Sequence, residues 1–345
     1  MAINFSSDNV TPACDAVMAA INAANHGSVP SYGNDELTAR LQTVASDLFE
    51  KPVTVFPVTT GTASNSLALS QLAPPFGEIY CYEKAHLITD EGGAPEFFTS
   101  GARLTGLPAA DGKIRAQQIH DAVAFADELG VHHSKPAAIS LTQATEWGTV
   151  YGLNELAAIG EAGKQHGLAL HVDGARFANA LVHLGCSPAQ ATWKQGVDVL
   201  SLGATKNGAL CAEAVVFFDA ERGRDFERRR KRAGHLWSKQ RFLSAQLLAY
   251  LEHDLWLRNA RNANVMATRL AGGLKGAAGA RLMHPVEANE VFVALPEKTV
   301  AALEAQFKFY RWPLDTSGTG VPIRLVTTFA TTAAEVDEFI AAANR

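Results

Sequence analysis

At 345 residues the chain is longer than a single hydrophobic core usually grows, so one large and one smaller domain are expected. An apolar fraction of 47% describes an ordinary globular chain, and a net charge of −5 argues against general nucleic-acid affinity. The four cysteines, Cys14, Cys81, Cys186 and Cys211, are scattered with no C-x-x-C spacing, which suggests no zinc or other metal site, no disulfide framework and a reducing, cytoplasmic compartment.

No apolar run approaches the ~20 residues needed to cross a bilayer, and the first eight residues lack the basic and apolar regions of a secretory signal. Residues 1–30 read as an arm with one helix, opened by Thr11-Pro12 and carrying Ala16, Val17, Ala20, Ile21 and Ala24 on one face. Residues 30–35 form a loop, and Asp35 caps a helix to about Phe49 whose apolar side is Leu37, Leu41, Val44, Ala45 and Leu48.

A strand over 53–58 leads into Thr59-Thr60-Gly61-Thr62-Ala63-Ser64-Asn65, and a helix is predicted over 66–72. A glycine-containing turn entering a helix offers free N–H groups and a positive dipole end, which suits phosphate, although any strand-to-helix turn can look like this. The Walker pattern is absent, since it needs a Gly-Lys-Ser/Thr end. A strand over 78–82 ends at Lys84-Ala85-His86, where an aromatic ring could stack on a ligand or simply cap a helix. Asp111-Gly112 reads as a hairpin-like turn, followed by a helix over 116–129 and a buried strand over 137–141. The polar loop 142–151 and a helix over 153–166 complete this half.

Two short apolar runs, 167–172 and 197–203, then read as parallel strands buried on both faces, with room for a crossover helix between them. The first lands on Asp173-Gly174-Ala175-Arg176 and the second on Ala204-Thr205-Lys206. Ligands in open α/β sheets sit beyond the carboxyl ends of the strands, so Asp173 and Lys206 are expected to face one pocket. Taken singly, Asp173 reads as a helix cap and Lys206 as a solvated charge. Together they suit pyridoxal phosphate, which is held as a Schiff base on a lysine while an acid pairs its ring nitrogen.

A strand over 212–218 follows, then the basic run 228–232, read as a solvated helix face balanced by Asp219, Glu221, Asp225 and Glu227. A leucine-rich helix over 243–257 is expected to bridge two domains. From about residue 258 the pattern is α+β: helices over 258–274, 297–307 and 332–343, and strands over 290–295 and 323–328. Arg324 is a cation on an otherwise apolar strand; it would grip a substrate carboxylate through two parallel bonds or form an internal ion pair.

The residues Ser7-Asp8-Asn9-Val10-Thr11, Tyr32-Gly33-Asn34-Asp35, Thr60-Gly61-Thr62, Ala85-His86, Glu91-Gly92-Gly93, 171–176, Lys206 and Arg324-Leu325-Val326-Thr327 resemble, in this order, the threonine aldolases. These belong to the aspartate-aminotransferase-like (fold type I) superfamily of pyridoxal-phosphate enzymes, and the chain looks closest to the low-specificity L-threonine or phenylserine aldolase branch. The resemblance implies an α/β fold: an arm (1–30), a large domain with a mostly parallel sheet (31–257) and a small C-terminal α+β domain (258–345).

It also implies roles. Lys206 would hold the cofactor, Asp173 its ring nitrogen, His86 the ring face, and Gly61 and Thr62 the phosphate. Ser7, Arg176 and Arg324 would bind the substrate carboxylate, and Tyr32 would reach a site near the subunit interface of a homo-oligomer, usually a tetramer built from dimers that share active sites. The implied reaction is reversible cleavage of a β-hydroxy-α-amino acid to glycine and an aldehyde; another enzyme of the superfamily, an aminotransferase or β-eliminating lyase, is the alternative. Two departures stand out. Family members often carry a second histidine where this chain has Thr145-Glu146-Trp147-Gly148, and Ser238, Lys239 and Arg241 all compete for the place of a phosphate-binding arginine from the neighbouring subunit.

Overall fold

The computed structural model describes residues 3–312 and 320–345. Its centre is a seven-stranded sheet in the order Thr54–Val58, Glu213–Phe217, Val199–Leu202, Ala169–Gly174, Lys135–Thr142, Gly77–Tyr82 and Arg103–Leu107. Glu213–Phe217 runs antiparallel to both neighbours, and every other pairing is parallel. The inner strands are apolar on both sides because both sides are covered. Ile139, Leu141, Leu170, Val172 and Leu200 point into one core, while Val199, Val215 and Phe217 join Leu67 and Ala68 of helix Gly61–Leu72 in another.

Most expected elements are present, and the differences have local causes. Helix Gly61–Leu72 starts at Gly61 rather than Ser66, because Thr60 Oγ1 accepts the Ala63 N–H at 3.1 Å and caps the turn that its Thr, Gly and Ser content disguises as a loop. Asp111-Gly112 forms no hairpin: the chain before it, Arg103–Leu107, pairs in parallel with Gly77–Tyr82 as an edge strand. Gly112 (φ +76°) instead makes a tight passage, where a Cβ would lie 2.8 Å from the Trp147 ring. Short helices His86–Thr89 and Ala94–Phe98 occupy a stretch for which the sequence predicts no element.

The basic run lies on helix Phe226–Arg232, with Arg228 paired to Asp225 at 3.1 Å. Arg230 departs from the expected solvated face, being buried over the Phe56 ring and donating to Pro57 O at 3.2 Å. The leucine-rich helix covers Arg241–Leu251 and breaks at His253 and Asp254, both with positive φ; helix Leu255–Leu274 then takes over, so residue 258 falls inside it.

A second sheet has the order Tyr310–Arg311, Val321–Val326, Glu290–Leu295, Arg281–Leu282, all antiparallel. The N-terminal arm is stitched to this C-terminal unit. Ile3 and Asn4 pair in parallel with Phe307 and Lys308, Val326 N–H donates to Phe5 O at 2.8 Å, and the Phe5 and Phe339 rings meet edge-on at 5.4 Å. Among the described residues no helix is long and apolar enough to cross a membrane.

Candidate active site

The carboxyl ends of the parallel strands open into a cavity of about 1040 Å³. At its floor, helix Gly61–Leu72 presents its N-terminus; Gly61 has open space where a Cβ would stand, leaving the first turn's N–H groups approachable by an anion. The next turn is unusually polar for a buried helix. Asn65, 2% exposed, donates from Nδ2 to Asp173 Oδ2 and to Glu91 Oε1, each at 2.9 Å.

Asp173 ends its strand 5% exposed, and its other oxygen accepts the Ala175 N–H at 3.0 Å. Two bonds leave lone pairs on this carboxylate free to face a cationic N–H. Two residues earlier on the same strand face, His171 bridges Ser140 Oγ (2.8 Å) and Ser201 Oγ (3.0 Å); burial depresses its pKa to about 4, so it stays neutral. Lys206 sits on the turn Thr205–Asn207 and lines the cavity with Asp173. That turn is anchored by Asn207 Nδ2, which donates to Tyr250 OH at 2.9 Å and Trp256 O at 2.8 Å.

His86 faces the cavity beside Asp90, Glu91 and Glu146. Its Nδ1 lies 2.9 Å from Glu91 Oε1 and its Nε2 is 3.4 Å from Asp90 Oδ2. The hydrogen bond to Glu91 raises the His86 pKa above the usual histidine value; burial opposes it and Asp173 adds to it. Glu146 is half-buried on the cavity wall, and desolvation pushes its carboxyl up to about 7 although it accepts from Thr142 Oγ1 (2.7 Å) and the His86 N–H (3.1 Å). Glu91 Oε2 and Glu146 Oε2 have no partner.

Opposite this group lies a buried charge cluster. Arg176 grips Asp8 with Nε–Oδ2 at 2.8 Å and Nη2–Oδ1 at 3.1 Å. Burial works against the Arg176 charge, but Asp8 and then Glu290 outweigh it and raise its pKa. Arg324 donates to Ser6 O at 3.1 Å, lies 4.4 Å from the Trp312 ring and has Glu290 no nearer than 3.9 Å. Ser7 caps the short turn Asp8–Val10 and also lines the cavity.

The strand ends, the arm and the second sheet thus bring Lys206, Asp173, His86, Gly61, Thr62, Ser7, Arg176 and Arg324 to one cavity. Arg176, expected on a substrate carboxylate, is tied to Asp8. Tyr32 lies outside this cavity, with positive φ, 45% exposed and with Lys231 Nζ 4.6 Å from its ring centroid. Ser238, Lys239 and Arg241 do not line it either among the described residues. Sequence reasoning assigned no role to Asn65, Glu91, Asp8 or Glu290. Asp8 and Glu91 stood inside quoted motifs, whereas Asn65 was one polar residue among the Thr, Gly and Ser of its turn and Glu290 carried no signal beyond preceding an apolar strand.

A donor-rich helix N-terminus, a carboxylate with spare acceptor capacity and a lysine around one cavity fit pyridoxal phosphate in chemistry. The chain is also similar to known proteins. Residues 4–298 match the family model described as beta-eliminating lyase. The chain is 46% identical to the low-specificity L-threonine aldolase of Pseudomonas aeruginosa over 307 residues, 89% of this chain and 88% of that one. It is 28% identical to the Escherichia coli protein of the same name, over 89% and 88% of the two chains. A threonine aldolase structure from Leishmania major superposes with a TM-score of 0.91, at 28% identity and 98% coverage of both chains. The chain belongs to the beta-eliminating lyase family and, within it, to the threonine aldolases.

Proposed function

We propose that this protein is a pyridoxal-phosphate-dependent aldolase that reversibly cleaves a β-hydroxy-α-amino acid, such as threonine, allo-threonine or phenylserine, to glycine and an aldehyde. The observation that carries this reading is the convergence of Lys206 and Asp173, from the ends of neighbouring parallel strands, on a cavity that Arg324 also lines. Bound pyridoxal phosphate supplies an electron sink for the pair released when Cα–Cβ breaks. Lys206 would hold the cofactor through its side-chain amine. Asp173, steadied by Asn65, holds the ring nitrogen's proton, and the Gly61–Thr62 turn receives the phosphate.

Arg324 and Ser7 hold the substrate carboxylate, which orients Cα–Cβ for cleavage. Arg176, tied to Asp8, supports that end of the site. His86, or a water it orients, takes the β-hydroxyl proton; Glu146, with a pKa of about 7, is the second candidate because a base works best when its pKa lies near the operating pH.

The same reading divides the chain into an arm (1–30), a cofactor domain (31–257) and a small domain (258–345). It makes the protein a cytoplasmic homo-oligomer with shared sites. Exposed Tyr32 supports this, as does a cavity that draws no lining from Ser238, Lys239 or Arg241 of its own chain among the described residues. Incubation with L-threonine and with the L-phenylserine diastereomers tests the function. Aldehyde plus glycine is expected, whereas a keto acid with ammonia, or a new amino acid, would mean β-elimination or transamination.

A further inference from the structure

Glu290 opens the strand Glu290–Leu295, 1% exposed, on the wall of the cavity. Its Oε2 is 3.2 Å from Arg176 Nη1 and its Oε1 is 3.9 Å from Arg324 Nη1. The first contact is close but misaligned, so Oε2 has no hydrogen-bond partner, and the second is too long for one. A buried carboxylate between two guanidiniums thus lacks a well-formed bond to either.

The charged groups facing it are Arg176, Arg324, Asp8 and Lys206. Gly148, from the loop 142–151, packs against it: a Cβ built there would lie 3.1 Å from the Glu290 Cβ. In the functional reading above, Lys206 would hold the cofactor and Asp173 would hold its ring nitrogen. That leaves Arg176 and Arg324 against Asp8 and Glu290, a balanced set. A substrate carboxylate arriving at Arg324 would put three anions against two cations in a largely buried cluster, where an uncompensated charge is far costlier than in water. Burial already raises the Glu290 carboxyl above its ordinary pKa, and Arg176 and Arg324 only partly oppose the rise.

We propose that Glu290 takes up a proton from solvent as the substrate carboxylate binds Arg324, and that the resulting carboxylic acid donates a hydrogen bond to that carboxylate. Glu290 is then a binding residue of the site, and balance returns with two arginines against Asp8 and the substrate. The proposal rests on the functional reading, and one experiment separates the two. Glycine is titrated calorimetrically into the cofactor-loaded wild type and Glu290→Gln, in buffers of different ionisation enthalpy and across a range of pH.

Above the pH at which free Glu290 titrates, the wild type should take up close to one more proton per glycine than Glu290→Gln. Its affinity relative to the variant should fall by up to about tenfold per pH unit. The difference infrared spectrum of the wild type on glycine addition should gain a protonated-carboxyl band, a readout that needs no variant to fold. Glycine binding with equal proton uptake in both proteins, or with no such band in the wild type, overturns the role of Glu290 and leaves the aldolase reading intact. Failure of the wild type to bind glycine overturns both.

Discussion

Asp8 is the acid on which the arm and the active site meet, and its removal has a size that can be worked out. Asp8→Ala deletes the acceptor of both Arg176 bonds and of the Asn289 Nδ2 bond at 3.1 Å. The Arg176 side chain is only 12% exposed, so its guanidinium is left largely desolvated, with the misaligned Glu290 as its nearest carboxylate. Breaking one half of a buried pair costs about 3–5 kcal/mol, because the survivor becomes an uncompensated buried charge. Residual attraction to Glu290 places this case near the lower end, at about 3 kcal/mol.

The assay is urea denaturation followed by tryptophan fluorescence, with Asp8→Asn alongside to separate charge from shape. The pH dependence has a definite sign. Burial raises the Asp8 pKa, but Arg176 and then Lys206 outweigh it, and the folded value lies below the ordinary one. The stabilisation is therefore complete above the unfolded carboxylate value of about 4 and is lost as pH falls through the lower folded value. The gap between wild type and Asp8→Asn should close only in acid. A loss below about 1 kcal/mol at neutral pH, the range of an exposed ion pair, would refute the reasoning.

Other outcomes follow from the same geometry. Lys206→Ala should lose activity by orders of magnitude together with the cofactor's visible absorbance band; retention of both would remove Lys206 from the centre. Arg324→Ala should raise the amino-acid KM by an amount equivalent to about 2–5 kcal/mol, the cost of truncating one partner of a buried charged contact, and an unchanged KM would contradict its role. Glu91→Gln removes the largest influence holding the His86 pKa up, so the acid limb of the kcat profile should move to lower pH; an unmoved limb would mean that His86 is not the group titrating there.

The sheet was legible because its signal is local. Runs such as 137–141 and 197–203 are apolar without alternation, which marks strands covered on both faces, and the rule that ligands gather beyond strand carboxyl ends then put Asp173 and Lys206 together. Errors clustered where local composition and tertiary context disagree. Thr, Gly and Ser at 60–66 look like loop, yet helix Gly61–Leu72 begins there because Thr60 caps it and Ala214 O and Asp173, from other strands, accept from its buried Ser64 and Asn65. Arg230 was read with its charged neighbours as solvated, yet it turns inward onto Phe56 and Pro57.

By itself the sequence determined the α/β class, the lysine and aspartate at neighbouring strand ends, and the lone arginine on an apolar strand, since periodicity and strand punctuation travel with the residues themselves. Only the tertiary structure decided which carboxylates stand beside them. Asp8 meets Arg176 across 168 positions and Asn289 across 281, and Asn65 reaches Asp173 across 108. Contacts that close loops of that length leave no periodic trace in the chain, because their geometry exists only once the sheet, the arm and the second sheet have packed.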